Sequence, residues 1–163
     1  MRARRGDALE FESFCLREYE RVFRAVRLLG GDDELARDAT QEAFTKAFVR
    51  WRRLQKEPWA GGWVMTTALN ASKRSLKKVA RESRSTAPAA DTASEANRAE
   101  RVDIVSALRR LPGRQQEVAV LYYWGDLSTS SIAQLLSLSE GTVRAHLAHA
   151  RDKLRGLLEV ADA

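Results

Sequence analysis

The chain has 163 residues, 44% of them hydrophobic, which fits one domain or two small helical ones at the lower end of independent folding. With 28 basic against 22 acidic residues, the net charge of +6 suits a polyanionic partner without specifying one. Cys15 is the only cysteine, so an internal disulfide is excluded and a reducing compartment is expected. No apolar run approaches a membrane span, and none follows Met1 to Gly6 as a signal peptide requires, so a soluble cytoplasmic protein is expected.

From Leu9 to Leu29 the apolar residues Phe11, Phe14, Tyr19, Val22, Phe23 and Val26 recur at helical spacing, and Gly30-Gly31 provides the stop. Cys15, beside Phe14, reads as a small buried hydrophobe. Asp32 or Asp33 can cap a second helix that runs to about Leu54 through Leu35, Ala39, Ala43, Ala47 and Trp51. Its other face carries Asp38, Gln41, Glu42 and Thr45. Acids early in a helix also suit its dipole, so stability and partner binding both account for Asp38 and Glu42. Charge is unevenly spread here. Asp32 to Glu42 holds five acids and one base, whereas Arg50 to Arg81 holds nine bases and one acid. Two surfaces with different partners follow.

Residues 55–62 read as a loop, with Pro58 placed to start a helix and Gly61-Gly62 loosening its first turn. In the helix after it, Trp63, Val64, Ala68, Ala71 and Leu76 can face inward, and Asn70, Lys73, Arg74, Lys77 and Lys78 outward. A tryptophan pair, Trp59 and Trp63, beside a basic helix is a combination that stacks bases and holds phosphates. Core packing is the other reading, and it is favoured for Trp63. Residues 82–98 are rich in Ser, Thr and Ala with almost no large apolar residue, so they read as a flexible linker spanning at most about 60 Å.

A second domain begins near Ala99. Val102, Val105, Leu108 and Leu111 mark a helix stopped by Pro112, and Val118, Leu121 and Tyr122 a second one ending near Gly125. Ser128 can cap a short helix with Ile132, Leu135 and Leu136 on one side. Ser137-Leu138-Ser139 form the turn. Ser139 then caps a helix whose apolar face is Val143, Leu147, Ala150 and Leu154, opposite Arg144, His146, His149, Arg151 and Arg155. This is the pattern of a helix-turn-helix that lays its second helix in the major groove, although an αα-hairpin with a solvated charged face fits the same spacing. The fold class expected is all-α: residues 1–81 and 99–163 as two small helical domains joined by the 82–98 linker.

Three runs occur in one order: Ala36 to Phe44 on an aromatic-rich helix, Trp63 to Asn70 opening a basic helix, and Ala107 to Pro112 followed by Ser139 to Leu154. Together they resemble the extracytoplasmic-function (ECF) sigma factors of bacterial RNA polymerase, over about residues 9–158. The resemblance implies a non-enzymatic protein, monomeric when free, that directs promoter-specific initiation without a cofactor or metal. It implies that Asp38, Gln41, Glu42 and Thr45 bind core RNA polymerase at the β′ clamp helices, with the β flap as a further contact. It implies that the 55–62 loop with Trp59, and the stretch Asn70 to Lys78 with Asn70, Lys73, Arg74, Lys77 and Lys78, act on the −10 element as melted strand. Ser139, Thr142, Arg144, Ala145, His146 and His149 would read the −35 element as duplex, and an anti-sigma protein would be the regulator.

The chain departs from the family at several points. Ser137 replaces the glycine usual in the turn, Ser131 a common glutamate, Arg74 a frequent Asp or Asn, and His146 and His149 stand where arginine is frequent. A dimeric helix-turn-helix regulator is the alternative. It accounts for residues 99–158 but leaves the acidic and basic surfaces before residue 82 unexplained. The two histidines, three apart on one helix, lack nearby partners for a metal site.

Overall fold

The computed structural model describes residues 5–30, 32–84 and 99–161. Among them run α1 (Arg5–Gly30), α2 (Asp33–Leu54), α3 (Ala60–Ser83), α4 (Ala99–Arg109), α5 (Gly113–Tyr123), α6 (Thr129–Leu136) and α7 (Glu140–Ala161), with no strand. α1 begins four residues before Leu9, with Asp7 in its first turn 3.9 Å from Arg52. Asp32 is the cap of α2: its carboxylate accepts the Glu34 N–H at 2.8 Å.

The first three helices pack on one another through a core fixed by side-chain size. On α2 half of the eight buried positions are alanines, Ala36, Ala39, Ala43 and Ala47, which lets its neighbours approach closely. Aromatic rings fill the wider end of the core. Trp51 lies 4.8 Å from Phe14 and 5.2 Å from Phe11, ring centre to ring centre. Cys15 is half-buried against this core, and burial pushes its thiol pKa up, away from reactivity. α3 contributes Val64, Met65, Ala68, Leu69 and Ala71. Beyond Ser72 its residues are largely exposed, including Leu76 at 36%. Leu76, expected to face inward, is therefore outside: the second half of α3 runs past the core. α3 continues through Ser83, into the first positions of the segment read as linker, and residues 85–98 lie outside the described ones.

In the second group α4, α5 and α6 all pack on α7. Leu108, Leu111, Val118, Leu121, Ile132, Val143, Leu147 and Ala150 are buried. The buried Gln116 amide donates to the Leu108 carbonyl at 2.9 Å and ties α5 to α4. Ser128 caps α6 by accepting the Ser131 N–H at 3.0 Å, and Ser131, in place of a glutamate, shares a hydrogen bond with the Ser128 hydroxyl. Ser137 ends α6 at φ 56, ψ 44, the left-handed geometry that favours glycine, and the following Leu138 N–H reaches the Ala133 carbonyl at 2.9 Å.

The two groups dock. α3 meets α5 and α6, and α1 meets α4. Arg109 donates to the Leu28 carbonyl at 3.0 Å, and Arg21 to the Gly125 carbonyl at 3.4 Å. Leu127 and Leu135 lie over Gly62 in the first turn of α3, where a Cβ would collide with Leu127 Cδ1. Buried residues of both groups form one continuous core cluster.

Candidate nucleic-acid interface

Along α3 the helical repeat puts Asn70, Lys73, Arg74, Lys77 and Lys78 in solvent, while Ala68, Ala71 and Ser72 anchor the same stretch to the core. Four of those five exposed residues are cationic, on a helix with no acid before Glu82. Such a face holds phosphate by charge. At its N-terminal end, a crevice of about 270 Å³ is lined by Arg50, Arg53, Leu54, Glu57, Trp59 and Trp63. Both indoles are half-buried, and the Arg50 guanidinium sits 5.7 Å over the Trp63 ring. Trp63 thus serves both readings, its body against the core and one face toward the crevice. The crevice has room for one planar base, with aromatic walls and with both hydrogen-bond donors (Arg50, Arg53) and an acceptor (Glu57) at its rim.

Arg50 and Arg53 lie outside the residues expected at the −10 surface, whereas Glu57 lies within the 55–62 loop. The surplus of bases after Arg50 was visible, but nothing in the spacing told that the end of α2 folds back beside Trp63. The loop itself is shorter than expected: α3 starts at Ala60 after Trp59, so Gly61 and Gly62 are already helical.

Asp38, Gln41, Glu42 and Thr45 are all exposed on one side of α2. The Thr45 hydroxyl is turned back to the Gln41 carbonyl at 2.8 Å. Glu42 is engaged from both sides: its Oε1 lies 2.6 Å from Lys46 Nζ and 2.9 Å from Arg74 Nη2. The Lys46 hydrogen bond first, then the charges of Lys46 and Arg74, hold the Glu42 carboxyl below its ordinary value. So the polar face of α2 and the basic face of α3 share an ion pair.

The third surface is built by α6 and α7. Ser139 accepts the Thr142 N–H at 3.0 Å and its hydroxyl pairs with that of Thr142 at 2.8 Å, so both cap residues lie at the start of α7. Val143, Leu147 and Ala150 seat the helix, which leaves Thr142, Arg144, Ala145 and His149 exposed and His146 half-buried. Arg144 is drawn back to Glu140 at 2.9 Å. One turn beyond His146, Arg151 donates to the Tyr123 hydroxyl at 2.7 Å and lies 5.9 Å from both the Tyr122 and Tyr123 rings, fixing α7 against the end of α5. Trp59, Asn70 and the α3 cations lie along one helix, and the five α7 positions with their cap Ser139 lie on another.

Residues 15–82 match region 2 of the sigma-70 proteins, and residues 101–154 match their region 4. The chain belongs to the sigma-70 family. Within it, this sigma factor is of the ECF type. It is 28% identical over 162 residues to the RNA polymerase sigma-E factor of Streptomyces coelicolor, covering 96% of this chain and 90% of that one. It is 29% identical over 157 residues to the ECF RNA polymerase sigma factor SigM of Mycobacterium tuberculosis, covering 94% and 79%. In fold, this sigma factor resembles CnrH, solved with the cytosolic domain of CnrY, at a TM-score of 0.67 and 24% identity over 92% of this chain and 88% of that one. It also resembles RpoE of Bartonella quintana, solved with the anti-sigma factor NepR, at 0.65 and 20% over 93% and 98%. Among the described residues no helix is long and apolar enough to cross a membrane.

Proposed function

We propose that this sigma factor binds core RNA polymerase through Asp38, Gln41, Glu42 and Thr45 and carries promoter recognition on two surfaces. Trp59, Asn70, Lys73, Arg74, Lys77 and Lys78, together with the crevice beside them, take a melted base and grip the strand at the −10 element. Ser139, Thr142, Arg144, Ala145, His146 and His149 meet the −35 duplex. Residues 1–81 and 99–163 are then the two working domains, and 82–98 the tether between them.

The observation that carries this reading is the aromatic crevice at the start of the helix whose later turns carry the exposed cations. Extruding a base costs a few kcal/mol, which stacking on an indole at about 1–3 kcal/mol per base and contacts at the rim recover. The α3 cations supply affinity that falls with salt, and Arg144 supplies a fork that can pair with a guanine edge. The polymerase contributes the chemistry, and the sigma factor works in the cytoplasm as a non-catalytic regulator. Its relatives' complexes support an anti-sigma protein as a partner.

Gel filtration with purified core polymerase tests the assignment. A free monomer that co-elutes with core polymerase, and no longer does so when Asp38, Gln41 and Glu42 are replaced by alanine, is expected. A stable homodimer indifferent to the polymerase would favour a stand-alone helix-turn-helix regulator instead.

A further inference from the structure

The crevice at the start of α3 holds charge that its neighbours leave unused. Arg50, Arg53 and Glu57 line it together with Leu54, Trp59 and Trp63. The Arg50 guanidinium is committed to the Trp63 face at 5.7 Å. Arg53, in the last turn of α2, and Glu57, in the turn that follows, have no side-chain hydrogen bond or ion pair among the described residues. Other acids of α1 and α2 are taken: Asp7 by Arg52, Asp33 by Arg27, and Glu42 by Lys46 and Arg74. The Glu57 main chain is nevertheless held, its N–H donating to the Leu54 carbonyl at 3.0 Å and its carbonyl accepting the Ala60 N–H at 3.2 Å. A carboxylate on a fixed turn and a guanidinium just before it therefore line one aromatic crevice with their polar atoms free.

An acid at the rim is a liability for a surface that only grips phosphate, because it repels the strand. It is useful where hydrogen-bond donors must be read, since a carboxylate accepts and cannot donate. Among the four bases, guanine alone carries two donors side by side, N1–H and N2–H, that both carboxylate oxygens can take. In adenine and cytosine the amino group lies next to a ring-nitrogen lone pair, which the second oxygen would oppose. In thymine the single donor, N3–H, is flanked by two carbonyl oxygens. The far edge of guanine presents O6 and N7, the acceptor pair that matches a guanidinium fork. Guanine thus satisfies both free groups. Each other base sets a lone pair against Glu57, which is how a site rejects as well as selects.

We infer that Glu57 and Arg53 make the crevice a guanine site: a guanine extruded from the −10 strand stacks on Trp59, donates N1–H and N2–H to Glu57, and accepts at O6 and N7 from Arg53. The inference rests on the proposed assignment of the crevice to that strand, and adds to it a base identity and two reading residues. Trp59 and Trp63 offer a face to any base, so stacking supplies affinity without choice. The α3 cations hold phosphate and are equally indifferent to sequence. Selection falls to Glu57 and Arg53. A free guanine nucleotide would present the same edges. The strand is favoured because the exposed cations of Lys73 to Lys78 continue along the same helix, where further phosphates would lie.

Base analogues test the two contacts one edge at a time. The full chain with core polymerase is titrated, by fluorescence anisotropy, against single-stranded −10 oligonucleotides that carry each base in turn at every position. One position should prefer guanine over the other three bases by about tenfold or more. There, inosine, which lacks the N2 amino group, and 7-deazaguanine, which lacks N7, should each lose much of that preference. Glu57→Gln should no longer prefer guanine to inosine, and Arg53→Ala should no longer prefer guanine to 7-deazaguanine, each variant keeping its response to the other analogue. A merely structural role for either residue would weaken all oligonucleotides together and leave those ratios in place, which would overturn the inference. Guanosine monophosphate should compete at least about a hundredfold less well than the strand, having a single phosphate for the cations to hold. Equal competition would assign the crevice to a free nucleotide and overturn the strand reading. A preference for another base that depends on Trp59 would overturn the guanine reading while leaving the crevice a strand site. Binding indifferent to Trp59→Ala, or no strand binding at all, would strike the crevice assignment itself and the inference with it.

Discussion

The carboxylate of Glu42 on α2 and the guanidinium of Arg74 on α3 meet at 2.9 Å. Each belongs to a different proposed surface, Glu42 to the one assigned to the polymerase and Arg74 to the one assigned to the promoter. The same Glu42 oxygen also holds Lys46 at 2.6 Å, so any cation a partner brings to Glu42 competes with Arg74 for it. Engagement of Glu42 by such a cation would thereby free Arg74 on the basic face of α3.

Because this network is solvent-exposed, its contribution to stability is small, below about 1 kcal/mol by the usual worth of surface pairs. The folded Glu42 carboxyl is lowered relative to the unfolded chain, so its contribution is complete above the ordinary carboxylate pKa and disappears as pH falls through the lowered folded value. Urea melts should show Glu42→Gln slightly less stable than wild type at pH 7, with the gap closing in strong acid. A gap that widens in acid would contradict the sign.

Ser137 holds φ 56 without being glycine. Relieving a left-handed non-glycine residue gains on the order of 1 kcal/mol, partly offset by the extra freedom of glycine in the unfolded chain. Ser137→Gly should therefore raise the unfolding midpoint modestly and leave −35 binding unchanged. Ser137→Val, with a branched Cβ, should lower it.

Arg144 is restrained by Glu140, at 2.9 Å within one turn of α7. Arg144→Ala should cost about 1–3 kcal/mol against a preferred −35 duplex and flatten discrimination among base substitutions. Glu140→Ala, which frees the guanidinium and removes a charge that repels phosphate, should strengthen binding. Fluorescence anisotropy at fixed salt separates the two.

Trp59 is the cleaner probe of the crevice: both indoles rest partly on the core, and Trp63 in addition lies under the Arg50 guanidinium. Trp59→Ala should weaken binding to single-stranded −10 DNA by about 1–3 kcal/mol while leaving the −35 duplex affinity intact. Equal loss on both DNAs would point to a folding defect rather than a lost stack.

Much of this was legible from local chemistry. Acids ahead of an alanine-spaced run narrowed the cap of α2 to Asp32 or Asp33, and serines at 128 and 139 marked both helices of the helix-turn-helix, because a cap is satisfied within three residues of itself. Leu76 shows where periodicity misleads: a repeat tells which residues share a side, but not how far along the helix a neighbour is there to bury them. Arg50, Arg53 and Glu57 join the crevice only through the packing of α2 on α3. Gly62 read as a loosened helix start, and its use as a seat for Leu127 depends on a contact between residues more than sixty positions apart. No window of sequence contains that.

The most direct test of the central claim is run-off transcription with purified core polymerase, this sigma factor and a promoter library randomised at both elements. Transcripts should start from a subset of templates sharing one −10 and one −35 sequence. Trp59→Ala should abolish selection at the first element and Arg144→Ala at the second. Initiation that ignores both elements, or no initiation with any core enzyme, would contradict it.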